Sequence, residues 1–142
     1  MKKLIKQWAA PVLCGLTIFM LFKFVLFFGY VPTASMEPTI EAGSFISGHR
    51  IINEINRGDV LVFTLDGYMV VKRVAAVEHD YIYIDRSGTV VSVNEALSDY
   101  ERVLEVPADC YFMLGDNADD SVDSRFWENP FVKREWIIAK LW

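Results

Sequence analysis

The chain has 142 residues, 53% of them hydrophobic, which is enough for one compact domain plus one membrane segment and too little for two full domains. Its formal charge of −5 is unevenly placed: Lys2, Lys3, Lys6 and Lys23 give residues 1–34 a charge of +4 with no acid, leaving 10 basic against 19 acidic side chains in the remainder. That acidic remainder argues against nucleic acid as a partner, since phosphate binding draws on clustered Lys and Arg.

Two cysteines, Cys14 inside an apolar run and Cys110 far outside it, imply neither a disulfide framework nor a Cys-rich metal site. Only His49 and His79 could add imidazole ligands.

From residue 8 to residue 30 the only charge is Lys23. As a helix this run reaches about 34 Å at ~1.5 Å per residue, enough to cross a ~30 Å hydrocarbon core. The preceding lysines keep residues 1–7 in the cytoplasm and send residues 31–142 to the outer side. Lys23 then snorkels toward the outer interface. A cleaved secretory signal is the competing reading, but its apolar core would be short and Pro32 would stand third before a cut made after Ala34. A buried core helix is disfavoured because the run is apolar on every face.

Val31-Pro32-Thr33-Ala34-Ser35-Met36-Glu37-Pro38-Thr39 follows at once. The two prolines fix the backbone and disfavour helix on either side of Ser35. A serine held in this way is a nucleophile only where the chain supplies a base; otherwise the segment is linker.

Residues 43–50 and the turn Asn56-Arg57-Gly58-Asp59 lead into a β-rich run, Val60-Leu61-Val62-Phe63-Thr64. Asp66-Gly67 marks a hairpin turn into a strand over residues 68–77. Residues 81–84 and 89–93, joined through Arg86-Ser87-Gly88, form a second hairpin. Residues 94–102 are polar and expected to be loop, Tyr111-Phe112-Met113-Leu114 is a strand, and residues 134–142 form a terminal strand or helix. Short strands separated by Gly and Asp turns indicate a mainly β fold, an antiparallel β-barrel or sandwich-like domain behind one N-terminal transmembrane helix.

Within the strand Met69-Val70-Val71-Lys72-Arg73-Val74, Lys72 shares a face with Val70 and Val74, and Arg73 points the other way. One of these two cations therefore lies on a β-branched, buried face. If it is Lys72, desolvation lowers its pKa. Half-neutrality at pH 7 requires a fall of ~3.4 from ~10.4, or about 4.6 kcal/mol, within reach of a buried amine. A neutral lysine can take a proton from Ser35 and return it to a leaving amine. The bland alternative is a strand whose Lys and Arg both snorkel to water.

A third stretch, Gly115-Asp116-Asn117-Ala118-Asp119-Asp120-Ser121-Val122-Asp123-Ser124-Arg125, is a turn rich in side chains that bond to backbone. A calcium loop is the competing reading, but the spacing does not match an EF-hand and Arg125 would repel a cation. Ser121 can orient an amine, and Asp123 with Arg125 can rigidify the loop.

Taken in series, the Ser35 stretch, Arg57-Gly58-Asp59-Val60-Leu61-Val62-Phe63 with Val71-Lys72-Arg73-Val74, and Gly115-Asp116-Asn117 with Ser121-Val122-Asp123-Ser124-Arg125 resemble the bacterial type I signal peptidases in order and spacing. Val106-Pro107 and Ile137-Ile138-Ala139-Lys140 are minor echoes. The resemblance implies a compact, single-anchor Ser/Lys endopeptidase that removes signal peptides from exported preproteins at the outer membrane face.

It implies Ser35 as nucleophile, Lys72 as general base, and Thr33 with the Ser35 N–H as oxyanion donors. Ser121 would orient the lysine, Asp116, Asp123 and Arg125 would brace the site, and Met36 would sit where small substrate side chains dock. The substrate would carry small residues at the first and third positions before the cut and bind partly by strand addition beside the Ser35 stretch. Such Ser/Lys chemistry calls for no metal or organic cofactor. Three departures stand out: Ala118 where the family has arginine, Glu128 where glycine is usual, and Ala75-Ala76-Val77-Glu78-His79-Asp80 in place of a Gly/Pro-rich turn.

Other functions compete. A Ser/His hydrolase using His79 or His49 lacks the Gly-x-Ser-x-Gly elbow around Ser35. The endoplasmic-reticulum branch of the same family carries histidine where Lys72 stands, and self-cleaving repressors need a DNA-binding segment. A catalytically degenerate, membrane-tethered β domain acting as a binding or structural module predicts no loss when Ser35 or Lys72 is changed.

Overall fold

The structure is a computed structural model that describes residues 2–95 and 100–142. It opens with helix α1, Lys2–Phe24, followed after Val25 alone by strand β1, Leu26–Val31. The expected anchor helix over residues 8–30 therefore ends earlier. Leu26–Val31 finds a full antiparallel partner in β2, Ser44–His49, from Leu26 opposite His49 to Val31 opposite Ser44. Phe27 and Val31 point into the core, whereas Phe28 and Tyr30 point out, the period of two that a helix does not satisfy. Arg50 pins this junction by donating its backbone N–H to the Val25 carbonyl at 2.8 Å and its Nε to the Leu26 carbonyl at 3.2 Å.

Residues 8–24 of α1 are exposed on all sides. They extend only about 26 Å as helix, and among the described residues no helix is long and apolar enough to cross a membrane.

The hairpin of β3, Val60–Leu65, and β4, Tyr68–Ala76, turns at Asp66-Gly67. Both turn residues have positive φ, 49° and 84°, the combination that matches the right-handed twist of the flanking strands and that Asp-Gly supplies at little strain. The second hairpin pairs β5, Tyr81–Ile84, with β6, Val90–Val93. Asp85 closes its turn by accepting the N–H groups of Ser87 and Thr89 at 2.8 and 2.9 Å.

Besides β1, the strands β7, Arg102–Glu105, and β9, Phe131–Lys133, escaped the sequence pattern. Between them runs β8, Cys110–Leu114. The terminal segment resolves into a 3₁₀ turn, Arg134–Trp136, and β10, Ile137–Leu141. Of the loop expected over residues 94–102, residues 96–99 lie outside the described residues.

The strands form a seven-stranded antiparallel sheet ordered β1-β2-β10-β3-β4-β8-β9 and a three-stranded sheet ordered β6-β5-β7. The expected barrel does not close, because β1 and β9 end the larger sheet without pairing to each other. The fold is mainly β and antiparallel, as expected. Three clusters fill it. Leu61, Phe63, Val74, Met113 and Val132 form one, with the Trp127 ring 6.0 Å from Phe63. Ala76, Ile82, Ile84, Val106 and Phe112 join the two sheets, and Phe27, Val62 and Ala139 fill the opposite side of the larger sheet. β3 thus buries residues on both faces, the pattern of a central strand.

Asp80 ties the two sheets together where β4 passes to β5. Its carboxylate accepts Arg57 Nε at 2.7 Å, a second Arg57 nitrogen, the Val77 N–H at 2.8 Å and Asn94 Nδ2 at 2.8 Å. Burial opposes its ionisation, but Arg57, the Val77 amide and Asn94 together hold its pKa below the ordinary carboxylate value. Asp80→Ala leaves the Val77 and Asn94 donors unmet. We expect it to lower stability by about 2 kcal/mol, read from urea unfolding. Because the depressed group stabilises the fold at pH above its ordinary pKa of ~3.9, wild type should lose that stability as pH falls below ~4 and the variant should show a flatter acid slope.

Candidate active site

Ser35 sits in a turn directly after β1. The turn is closed by the Glu37 N–H on the Ala34 carbonyl at 3.0 Å and the Ile40 N–H on the Met36 carbonyl at 2.8 Å. β1 thereby delivers Ser35 to β4, where Lys72 Nζ lies 2.6 Å from Ser35 Oγ. The alternation of β4 settles which cation is buried. Lys72 is 3% exposed and lies between buried Val74 and half-buried Val70 on one face, while Arg73 leaves by the other. Burial pushes the Lys72 pKa below that of an ordinary lysine; Asp123 opposes this, Arg125 reinforces it, and Asp116 and Asp120 oppose it.

Arg73 makes a two-pronged pair with Asp116, Nε to Oδ1 at 2.7 Å and Nη2 to Oδ2 at 2.5 Å, and reaches the Gly58 carbonyl at 2.7 Å. The hydrogen bonds from Arg73 hold the Asp116 carboxyl below its usual range against the effect of burial. Asp116 therefore braces the strand behind the lysine rather than touching the amine.

Asp123 is fully buried and accepts five donors: Gly115 N–H at 2.9 Å, Ser121 Oγ at 2.7 Å, and from Arg125 the backbone N–H at 3.3 Å, Nε at 2.8 Å and Nη2 at 2.9 Å. Burial raises its pKa, and Arg125, the Gly115 amide and Ser121 more than offset that. With its oxygens so occupied, Asp123 has no place for calcium. Arg125 also donates to the Ala118 carbonyl at 3.1 Å, so the loop is braced without a side chain at position 118.

Ser121, expected to orient the Lys72 amine, donates its hydroxyl proton to Asp123 at 2.7 Å, which leaves the oxygen lone pairs free to accept. A carboxylate is the stronger acceptor.

Gly115 is what lets these parts meet. A Cβ there would overlap the Ser121 side chain and the Ser35 carbonyl oxygen. Asn117 reaches the same turn from its own side, its backbone N–H to the Ser35 carbonyl at 3.1 Å and its Nδ2 to the Ala34 carbonyl at 3.2 Å. Sequence reasoning quoted Gly115 and Asn117 within a motif and gave neither a task; Gly-Asp-Asn at the end of a strand was the signal available.

A cleft of about 190 Å³ opens over Ser35 and Lys72, lined by Tyr30, Thr33, Met69 and Val71 among others. Thr33 stands at its wall. Met36, expected where small substrate side chains dock, is fully buried beside Ser35 and does not line this cleft. The histidines lie apart: His49 bonds the Ile51 carbonyl and stacks 4.9 Å from Trp142, and His79 occupies a positive-φ turn. Among the described residues no three His, Cys, Asp or Glu gather as metal ligands.

The family model described as "Signal peptidase, peptidase S26" matches residues 4–102 and 91–141. The chain belongs to this family.

Among its relatives, the signal peptidase I S of Bacillus subtilis is 27% identical over 157 residues, covering 94% of this chain and 85% of its own. The signal peptidase I of Leptolyngbya laminosa is 30% identical over 134 residues, covering 78% and 64%. That of Pseudomonas aeruginosa is 27% identical over 162 residues and covers 75% of this chain, which spans 57% of that relative's length. The crystal structure of a signal peptidase I from Enterococcus faecalis aligns with 63% of this chain and 97% of its own, at 24% identity and a TM-score of 0.49.

The family motif Gly-Asp-Asn gains a steric meaning here. Gly115→Ala is expected to force the Ser121 loop off the Ser35 turn and destabilise the domain by about 1–3 kcal/mol, measured as a shift of the urea midpoint. Gly67→Ala, strained at its positive φ but far from any neighbour, serves as the backbone-only comparison.

Proposed function

We propose that this chain is a membrane-bound serine endopeptidase that removes signal peptides from exported preproteins through Ser35 and Lys72. The observation that carries the reading is the 2.6 Å contact between Lys72 Nζ and Ser35 Oγ in a site where both residues are buried. A lysine so desolvated sheds its proton more readily than a solvated one.

In the reactive state neutral Lys72 accepts the Ser35 proton as Oγ attacks the scissile carbonyl carbon. The Ser35 N–H and the Thr33 hydroxyl receive the oxyanion, whose stabilisation by one such donor is worth about 3 kcal/mol. The Lys72 ammonium then protonates the departing amine, leaving an ester on Ser35. Water, deprotonated by the same lysine, releases the signal peptide. Asp123 and Arg125 hold the Ser121 loop, and Asp116 holds Arg73, so the lysine approaches from one direction.

Strand order supports the mode of substrate binding. β8 pairs with β4 only from Arg73 onward, so the outer edge of residues 68–72 is free, and it faces the end of β1 across the cleft. An extended peptide with small residues at the first and third positions before the cut adds there as a strand. α1, basic at its start through Lys2, Lys3 and Lys6 and carrying Lys23 as its late charge, anchors the chain with residues 1–7 cytoplasmic and the catalytic body outside.

The test is cleavage of a preprotein with an Ala-x-Ala site by detergent-solubilised protein. Wild type should cut after the second Ala, and Ser35→Ala and Lys72→Ala, folded by thermal unfolding, should lose at least about 10³-fold in kcat/KM. Neutral lysine is the active form, so the rate should fall on acidification through a limb below the ~10.4 of free lysine. An inert wild type, or a Lys72→Ala variant that keeps its rate, returns the tethered binding module to the lead.

A further inference from the structure

Ala34 C=O and Ser35 N–H belong to one peptide plane. In a trans peptide these two groups point in opposite directions, so whatever holds the carbonyl aims the amide. The Ala34 carbonyl is held from two sides, by the Glu37 N–H of the turn at 3.0 Å and by Asn117 Nδ2 at 3.2 Å. The next carbonyl, that of Ser35, is held by the Asn117 backbone N–H. The Ser35 N–H itself makes no hydrogen bond to another described residue.

Asn117 also stands at a structural crossing. Its neighbour Asp116 is locked to Arg73, and Arg73 follows Lys72 on β4. The contacts form a closed circuit: Lys72 to the Ser35 hydroxyl, along the chain to Arg73, across to Asp116, along the chain to Asn117, and back to the Ala34 and Ser35 carbonyls. One β-strand thereby positions the base directly and the nucleophile's backbone through Asn117.

We infer that the Asn117 side chain is a positioning residue for the oxyanion: by holding the Ala34 carbonyl, it aims the free Ser35 N–H into the cleft. This rests on the Ser35/Lys72 reading. It adds a residue that touches neither the substrate nor the lysine and acts through a peptide plane. Because the Glu37 N–H shares the same carbonyl, loss of the amide misaligns the donor without removing it.

The test compares wild type, Asn117→Asp and Asn117→Ala in the full chain with a preprotein substrate, after Ser35→Ala has been shown inactive. Asn117→Asp keeps the shape but presents no donor to the carbonyl. Removing an oxyanion donor outright costs about 10²–10³-fold in kcat, so misaligning one is expected to lower kcat by roughly 10- to 100-fold while KM stays within about twofold. The acid limb of the pH profile should not move in Asn117→Ala, since Lys72 keeps its charged neighbours, whereas Asn117→Asp adds a carboxylate that shifts the limb upward, in the direction Asp116 and Asp120 already push it.

Affinity for a peptide boronate, whose tetrahedral adduct places an oxygen where the oxyanion forms, should fall by the same factor as kcat. Affinity for an uncleavable peptide should hold. The inference is overturned by an unchanged kcat, by equal losses for boronate and uncleavable peptide, or by both variants unfolding, which would make the amide a fold residue. An inert wild type instead removes the Ser35/Lys72 reading itself.

Discussion

A lysine at the end of a flexible stem is normally a cation held in water, and the site described here depends on denying Lys72 that water. The amine is buried on the inner face of β4, with Val70 and Val74 on either side along the strand and the Ser35 hydroxyl as its hydrogen-bond partner. Desolvation of this kind disfavours the charged form of an amine more than nearby carboxylates at a distance can restore it. Asp123, whose charge would otherwise draw the proton back, is itself engaged by Arg125. The surrounding loop keeps the lysine dry and occupies the acid.

The same strand solves a second problem through its pleat. Consecutive residues face opposite sides, so Lys72 and Arg73 serve two surfaces from one backbone. Arg73 fastens Asp116 and, through it, the segment that grips the Ser35 turn. Strand β3 supports the arrangement because it is buried on both faces and pairs with β4 from Val60 opposite Arg73 to Leu65 opposite Tyr68. The chemistry thus inherits the rigidity of the most central hairpin in the sheet.

Much of this was legible in the amino-acid pattern, and the exceptions have physical reasons. Asp66-Gly67 specified its turn because a two-residue hairpin loop needs positive φ at both positions. The alternation around Lys72 narrowed the buried cation to two neighbours, and packing chose between them. β1 was hidden because Leu26–Val31 is as apolar as the helix before it, and only pairing with β2 distinguishes strand from helix there. β7 carries one polar and one apolar residue on each face and β9 is three residues long, too little for periodicity to register. Barrel closure depends on which edges meet, and composition carries no such information.

At the site, Ser35, Lys72, Asp123 and Arg125 stood out by residue type, whereas the parts played by Gly115 and Asn117 depend on distances between segments far apart in the chain. Ser121 illustrates the limit from the other direction. Its place in the motif was visible, but its donation to Asp123 depends on the loop geometry.

The passage from α1 to β1 is a single residue, Val25, whose carbonyl is tied down by Arg50. A longer linker would let the body turn freely about the helix, whereas this one ties the end of α1 to the start of the sheet. Ser35 follows the end of α1 by eleven positions, which limits its distance from the helix to roughly 40 Å of extended chain. On the proposed anchoring role of α1, the molecule would act as a ruler: a polypeptide threaded through the same bilayer would be presented to Ser35 at a set number of residues from the membrane, whatever its sequence beyond that point.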